Sequence, residues 1–85
     1  MFFVYVLWSD KLQKRYVGST VDIQKRLREH NAGKTPFTKS GKPWRLVCTE
    51  ELPDNSSARK RELFLKSGVG RKWLNEQLPD LKEMK

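Results

Sequence analysis

Cysteine and histidine are all but missing from this chain, which has one of each among 85 residues. A lone Cys48 cannot close an intramolecular disulfide, and Cys48 with His30 cannot complete a four-ligand structural zinc site. Stability has to come from packing. Acidic residues are scarce as well, 10 against 18 Lys plus Arg, leaving a formal charge of +8. So strong a field on so small a body makes a polyanion the expected partner. Long apolar runs are absent too. No stretch is long enough to span a bilayer and no basic amphipathic terminus would lie on one, so nucleic acid is expected and a membrane is not. Internal repeats, low-complexity tracts and linkers are also lacking. A chain of this length buries only about 60% of its unfolded surface, which leaves room for one domain, residues 1–85, with one modest core. The apolar start Met1-Phe2-Phe3-Val4 has no charged leader and reads as a first strand, not as an export signal, so a cytoplasmic location is expected.

The pattern of what is present predicts an α+β fold. Phe2 to Trp8 is a continuous apolar run of strand length, rich in aromatic and β-branched residues, as in a central strand covered on both faces. Arg15 to Ser19, with Tyr16 and Val17 alternating, forms a second strand paired to it as a hairpin. Asp22 is the N-cap of a helix to about Asn31, with Ile23 and Leu27 as apolar anchors and Gly33 as the stop. Gly33 to Lys42 reads as a flexible basic loop closed by Pro43. Arg45 to Glu51 makes a third strand with Leu46 and Cys48 on one face. Beyond the turn at 53–57, a second helix runs from about Ser57 to Lys66. Gly68-Val69-Gly70 interrupts it, Arg71 to Gln77 forms a short third helix, and Pro79 ends that.

Two tyrosine-centred segments, Phe3-Val4-Tyr5 and Tyr16-Val17-Gly18, are followed closely by Arg26 and His30. At 100° per residue, His30 falls about 20° from Ile23 and Arg26 about 60° from it, so both polar groups share the buried edge of the first helix. Two hydroxyls, a permanent cation and a group that exchanges protons near neutral pH are the parts of a phosphodiester-cleaving site. Each part alone has a plainer explanation. Tyr5 would fill core, Arg26 would be a solvated cation and His30 a helix-end residue. Their common placement argues for function. Lys34, Lys39, Lys42 and Arg45, gathered around Phe37 and Trp44, suggest a surface that tracks phosphates and stacks bases. Cys48 is expected buried and inert.

The ordered set Tyr5, Tyr16-Val17-Gly18-Ser19-Thr20, Arg26, His30-Asn31-Ala32-Gly33, Pro43-Trp44-Arg45-Leu46-Val47 and Arg61-Glu62 resembles the GIY-YIG nuclease superfamily. More narrowly, it is similar to the small standalone proteins related to the nuclease module of the excision-repair endonuclease. The resemblance covers nearly the whole chain. It implies a three-stranded antiparallel sheet flanked by two to three helices, and an endonuclease that hydrolyses DNA in repair or recombination. It also implies a single divalent cation, Mg²⁺ or Mn²⁺, held by Glu62, and catalytic roles for Tyr5, Tyr16, Arg26, His30 and Glu62. The glycine of the first signature is Phe3 here, and Asn75 is the nearest match to the family's late asparagine.

The chemistry assigns roles within that set. Arg26 would hold a nonbridging phosphoryl oxygen with its guanidinium fork, and a Glu62-bound ion would serve the leaving oxygen. A phenol in water keeps its proton until about pH 10, so Tyr16 beside the attacking water needs a nearby cation or a proton acceptor such as His30. Tyr5 would orient the water or a phosphate. Gly18 would let backbone and substrate approach closely. Glu62 has a plainer use as the i,i+4 partner of Lys66. With no recognition domain in view, low sequence specificity is expected, RNA is not set aside, and a second protein subunit would have to supply selectivity. The competing reading is a catalytically silent nucleic-acid-binding module.

Overall fold

A computed structural model describes residues 1–82. The expected single domain runs to residue 85, so its last three positions lie outside the described residues. Three strands, β1 (Phe2–Ser9), β2 (Lys14–Thr20) and β3 (Trp44–Leu52), form one antiparallel sheet in the order β2-β1-β3. Three helices flank it, α1 (Ile23–Asn31), α2 (Asn55–Lys66) and α3 (Gly68–Gln77). The expected α+β class, the central first strand and the hairpin are all present.

Alternation along β1 divides the interior in two. Val4 and Val6 face α2 and α3, where they pack with Val17, Ala58, Leu65 and Leu74. Tyr5 and Leu7 face the other way, onto α1 and the loop that follows it, packing with Trp44, Tyr16, Leu27 and Leu46. A strand buried on both faces has no room for the polar alternation of a surface strand, which is why Phe2 to Trp8 is apolar throughout.

Several expectations need correction. Leu46 and Cys48 lie on opposite faces, because the β1–β3 register shifts between Val6↔Cys48 and Leu7↔Leu46. The extra residue, Val47, sits beside Cys48 on the α2 side, and a bulge of this kind breaks the two-residue period. Cys48 is half-buried, not sealed in the core. The second helix starts before Ser57: Asp54 is the N-cap, its carboxylate accepting the Ser57 N–H at 2.7 Å. Gly68-Val69-Gly70 does not interrupt helix but forms the first turn of α3, capped by Ser67, whose hydroxyl accepts the Gly70 N–H at 3.2 Å. Glycine is needed at Gly70 because a Cβ there would run into the Phe64 carbonyl and the Leu65 backbone. α3 thereby folds back tightly on α2. Arg61 locks this corner, with its fork on Glu50 of β3 at 2.7 and 2.9 Å and its plane over the Phe64 and Trp73 rings.

The basic loop is anchored at both ends and in the middle. Gly33 takes the left-handed conformation (φ 78°) that ends α1. Thr38 and Gly41 are buried, and the Gly41 carbonyl accepts the Ser9 hydroxyl at 2.6 Å. Asn31 brackets the Trp44 backbone, accepting its N–H at 2.5 Å and donating to its carbonyl at 3.0 Å. A side chain that satisfies both backbone groups of one residue replaces a missing sheet partner.

Gly70→Ala should lower unfolding stability by about 1–3 kcal/mol, the usual cost of overpacking. Gly68→Ala meets nothing within 4 Å and should be neutral or stabilising by up to about 1 kcal/mol. Urea denaturation of the two single variants checks the contrast.

Candidate active site

The site begins in the register of the hairpin. Tyr5 is paired with Gly18 and Leu7 with Tyr16, and paired residues project to the same sheet face, so both phenols stand over α1. The Tyr5 ring fills the space a side chain at position 18 would need, since a Cβ there would lie 2.5 Å from the Tyr5 hydroxyl. Gly18 therefore admits Tyr5, where substrate was expected.

The first helix delivers His30 to the same place. His30 and Tyr5 are almost fully buried, at 0% and 2% exposure, and a chain of hydrogen bonds runs through them. The Thr38 hydroxyl donates to the Thr35 carbonyl at 3.3 Å, so its oxygen is left to accept from His30 Nδ1 at 2.7 Å. That puts the imidazole proton on Nδ1. Nε2 is then bare and accepts the Tyr5 O–H at 3.0 Å. Protonation follows the same pattern. Burial, followed by the charge of Arg26, pushes His30 below its ordinary value, and the ring is neutral. Burial and then the neighbouring Tyr16 push Tyr5 up to about 12, so it keeps its proton.

Tyr16 lies beside this pair, its ring 4.8 Å from that of His30 and 6.3 Å from that of Tyr5. Arg26 is half-buried at the rim. It donates to Glu29 at 2.8 Å. Tyr5, Tyr16, Arg26 and His30 are thus brought together as expected.

Glu62 arrives from the other side of the sheet. It shares the inward face of α2 with Ala58 and Leu65 and is 6% exposed. Its Oε1 accepts the Ser19 hydroxyl at 2.8 Å, its Oε2 accepts the Lys66 ammonium at 2.7 Å, and Arg59 stands 3.9 Å away. Burial works to raise its pKa, but the hydrogen bonds from Lys66 and Ser19 outweigh it, and the carboxyl sits below its ordinary value. The i,i+4 pair with Lys66 is therefore formed. It also makes the connection to the phenols, because the same ammonium lies 6.0 Å from the centre of the Tyr16 ring. The two halves meet around the free edge of β2.

Among the described residues no group of three or more His, Cys, Asp or Glu side chains gathers to hold a metal. Glu62 alone still fits a hard divalent ion. It is ionised, and each carboxylate oxygen has two lone-pair positions, so Ser19 and Lys66 leave some open. The remaining ligands would be waters and a substrate phosphate.

Of the surface cations, Lys34, Lys39 and Lys42 are exposed, and Arg45 forms an exposed pair with Asp10 at 3.3 Å. Phe37 projects among the lysines with 89% of its surface exposed. Base stacking on Trp44 is excluded, because Trp44 is buried with its indole donating to the Thr38 carbonyl at 2.6 Å. Trp73 packs against the α2–α3 core. Asn75 accepts from the Arg15 guanidinium. Sequence reasoning missed Thr38, Ser19 and Glu29. Strand alternation places Ser19 on the Val17 face and could have found it. Thr38 lies beyond a loop, where no period operates.

With this geometry in view, comparison with known proteins identifies the class. Residues 1–75 match the GIY-YIG catalytic domain, and the chain belongs to that family. Among its relatives are a UPF0213 protein of Syntrophus aciditrophicus, 46% identical over 67 residues and aligned over 75% of each chain, and a UPF0213 protein of Halalkalibacterium halodurans, 36% identical over 94% of this chain and 83% of that one. It is also similar to the structure-specific endonuclease subunit slx1 of Schizosaccharomyces pombe, 40% identical in an alignment of 65 positions that covers 68% of this chain and 24% of that protein. Family membership and this last likeness support nuclease activity.

Two pH-dependent losses of stability follow from the shifts at His30 and Glu62. A pKa lowered by folding means that the unfolded chain takes up the proton first as pH falls. His30 should thus cost stability as pH drops below its ordinary 6.5, and Glu62 should do so only below its ordinary 4.5. Denaturation midpoints against pH should flatten in the upper window for His30→Gln and in the lower window for Glu62→Gln. Nitrogen chemical shifts of the imidazole should show the Nδ1–H form in the wild type and lose it in Thr38→Val.

Proposed function

We propose that this chain is a divalent-metal-dependent endonuclease that hydrolyses DNA with low sequence specificity, through Tyr5, Tyr16, Arg26, His30 and Glu62. The observation that carries this reading is the meeting of a neutral buried imidazole, two phenols and an arginine, linked around the sheet edge through Lys66 to an ionised, buried carboxylate. In the reaction a water attacks phosphorus, the bond to the leaving oxygen breaks, the water gives up a proton, and the leaving oxygen takes one from solvent.

Tyr16, with no hydrogen bond from its hydroxyl among the described residues, stands beside the water. Tyr5 already donates to His30 Nε2, so its oxygen is an acceptor. Tyr16 takes the proton from the water. His30 Nε2 is already engaged by the Tyr5 hydroxyl, so the direct transfer expected from Tyr16 to the imidazole would require that bond to open. Arg26 steadies a nonbridging oxygen from the rim. A divalent ion at Glu62, Mg²⁺ or Mn²⁺, would neutralise charge on the leaving oxygen. Lys34, Lys39, Lys42 and Arg45 line the path of the phosphate backbone, with Phe37 available to stack on a base.

A role in DNA repair or recombination is proposed from the likeness to the endonuclease subunit, as is dependence on a second protein for selectivity. The lone Cys48 suits a reducing compartment such as the cytoplasm, and no helix among the described residues is long and apolar enough to cross a membrane. One observation favours the silent binding module: Lys66 already neutralises Glu62.

Cleavage of single-stranded, duplex and branched DNA separates the two readings. The wild type should cut only with a divalent ion, and Arg26→Ala and Glu62→Gln should each lose about 10²-fold or more, as when one charge-stabilising group is removed. Tyr16→Phe should be similarly impaired. Equal cutting by all four proteins, or none by any, would set the nuclease reading aside. In either case DNA affinity should fall steeply with salt.

A further inference from the structure

Helix α2 carries two ion pairs that are built differently. Arg61 meets Glu50 with both arms of its fork, at 2.7 and 2.9 Å, and its plane lies over the Phe64 and Trp73 rings. Lys66 meets Glu62 through one hydrogen bond, from a half-exposed side chain at the last position of the helix. A planar, stacked fork suits a fixed pair, whereas an ammonium on a flexible four-carbon stem is a point charge that can move off. The fixed pair ties the helix to β3. The loose one stands on the carboxylate that the reaction would use.

The two oxygens of Glu62 are held differently as well. Ser19 donates to Oε1 at 2.8 Å, a neutral bond that orients the carboxylate whatever stands at Oε2. At Oε2 the Lys66 ammonium lies 2.7 Å away. A divalent ion on that oxygen would meet a positive charge already in place, and like charges at such range repel by several kcal/mol in a poorly solvated site. Removing Lys66 with nothing in return is no better, because a carboxylate only 6% exposed would lose its cation. Exchange of one cation for the other avoids both costs. Arg59 is 3.9 Å from Oε1 on a side chain that is 67% exposed, too distant and too solvated to serve in the same way.

We propose that Lys66 is an exchangeable stand-in for the divalent ion, holding the cation position on Glu62 Oε2 and giving it up when the ion binds. The inference rests on the nuclease reading above and adds a positioning residue to it. Ion binding then carries the release of Lys66, which weakens the ion's hold on the protein alone. The ion pair that favours a silent module becomes the resting form of the metal site.

Calorimetric titration of the DNA-free protein with Mn²⁺ near neutral pH tests the exchange without any cleavage step. Lys66→Met should bind Mn²⁺ about tenfold more tightly than the wild type, the size of an ordinary coupling between two sites, while Arg59→Met should change it less than about threefold. A lysine that served structure alone would lower stability on removal and leave the affinity where it was. In the wild type, Mg²⁺ should move the NMR signals of the Lys66 ε-methylene and leave those of the Arg61 δ-methylene in place. The proposal falls if folded Lys66→Met binds Mn²⁺ no more tightly than the wild type. It falls equally if Mg²⁺ shifts the Glu62 carboxyl carbon but not Lys66, a reading that needs no variant to fold. Mn²⁺ binding that survives Glu62→Gln undiminished would remove the metal position and the proposal with it. Cutting by a protein whose Lys66 signals stay fixed would remove the exchange and keep the nuclease. Exchange in a protein that cuts nothing would keep the stand-in and remove the nuclease.

Discussion

The buried chain from Thr38 through His30 to Tyr5 is the constraint on which the rest of the structure depends. It threads three polar groups through the middle of one core face, where each unmet donor or acceptor would cost about 1–3 kcal/mol. Every member has its partner, and the direction of each bond is set by the one before it. With its proton on Nδ1 the neutral imidazole leaves Nε2 bare, and that tautomer is the one that lets Tyr5 donate. The loop carrying Thr38 is in turn held by the Trp44 indole and the Ser9–Gly41 bond. What looks like a surface loop is therefore part of the core. The exposed Phe37 is adjacent to the residue that accepts from the histidine.

The fold was largely legible because one strand carries so much of it. An apolar run of strand length, rich in aromatic and β-branched residues and without alternation, fits a strand covered twice, and β1 is the centre of the sheet. The tyrosines were legible for the same reason: hairpin pairing puts Tyr5 over Gly18 and Tyr16 over Leu7 on one face, and helical spacing sends His30 inward. Where reading failed, a local event broke the period. The bulge at Val47 moved Cys48 to the other face. Glycines at 68 and 70 were read as breakers, although the first sits at a helix start and the second at a close crossing, two places where glycine is compatible with helix.

Partners were the least legible feature. Nothing in the spacing of His30 and Thr38 announces a contact across a loop, and Ser19 meets Glu62 only because α2 lies over the edge strand. Glu62 shows the difference most sharply. Helical spacing showed a carboxylate with a lysine four residues later, and the ion pair between them is present in the finished structure. The ion pair is what keeps a nearly buried carboxylate charged, and a charged carboxylate is what a divalent ion needs.

The double use proposed for Glu62 follows from size. A domain of 85 residues cannot enclose a cleft between lobes, so a site that needs groups from both faces of its sheet has to use an edge. β2 is that edge: it is free on one side, it carries Tyr16 toward α1 and Ser19 toward α2, and α2 reaches around it with Lys66. An edge strand is normally a liability because its unpaired backbone groups invite another strand. Here Arg15, Lys66 and Arg71 surround it with positive charge, which repels a second copy of this basic chain and attracts a polyanion. The same cations thus guard an edge that would otherwise invite a second strand.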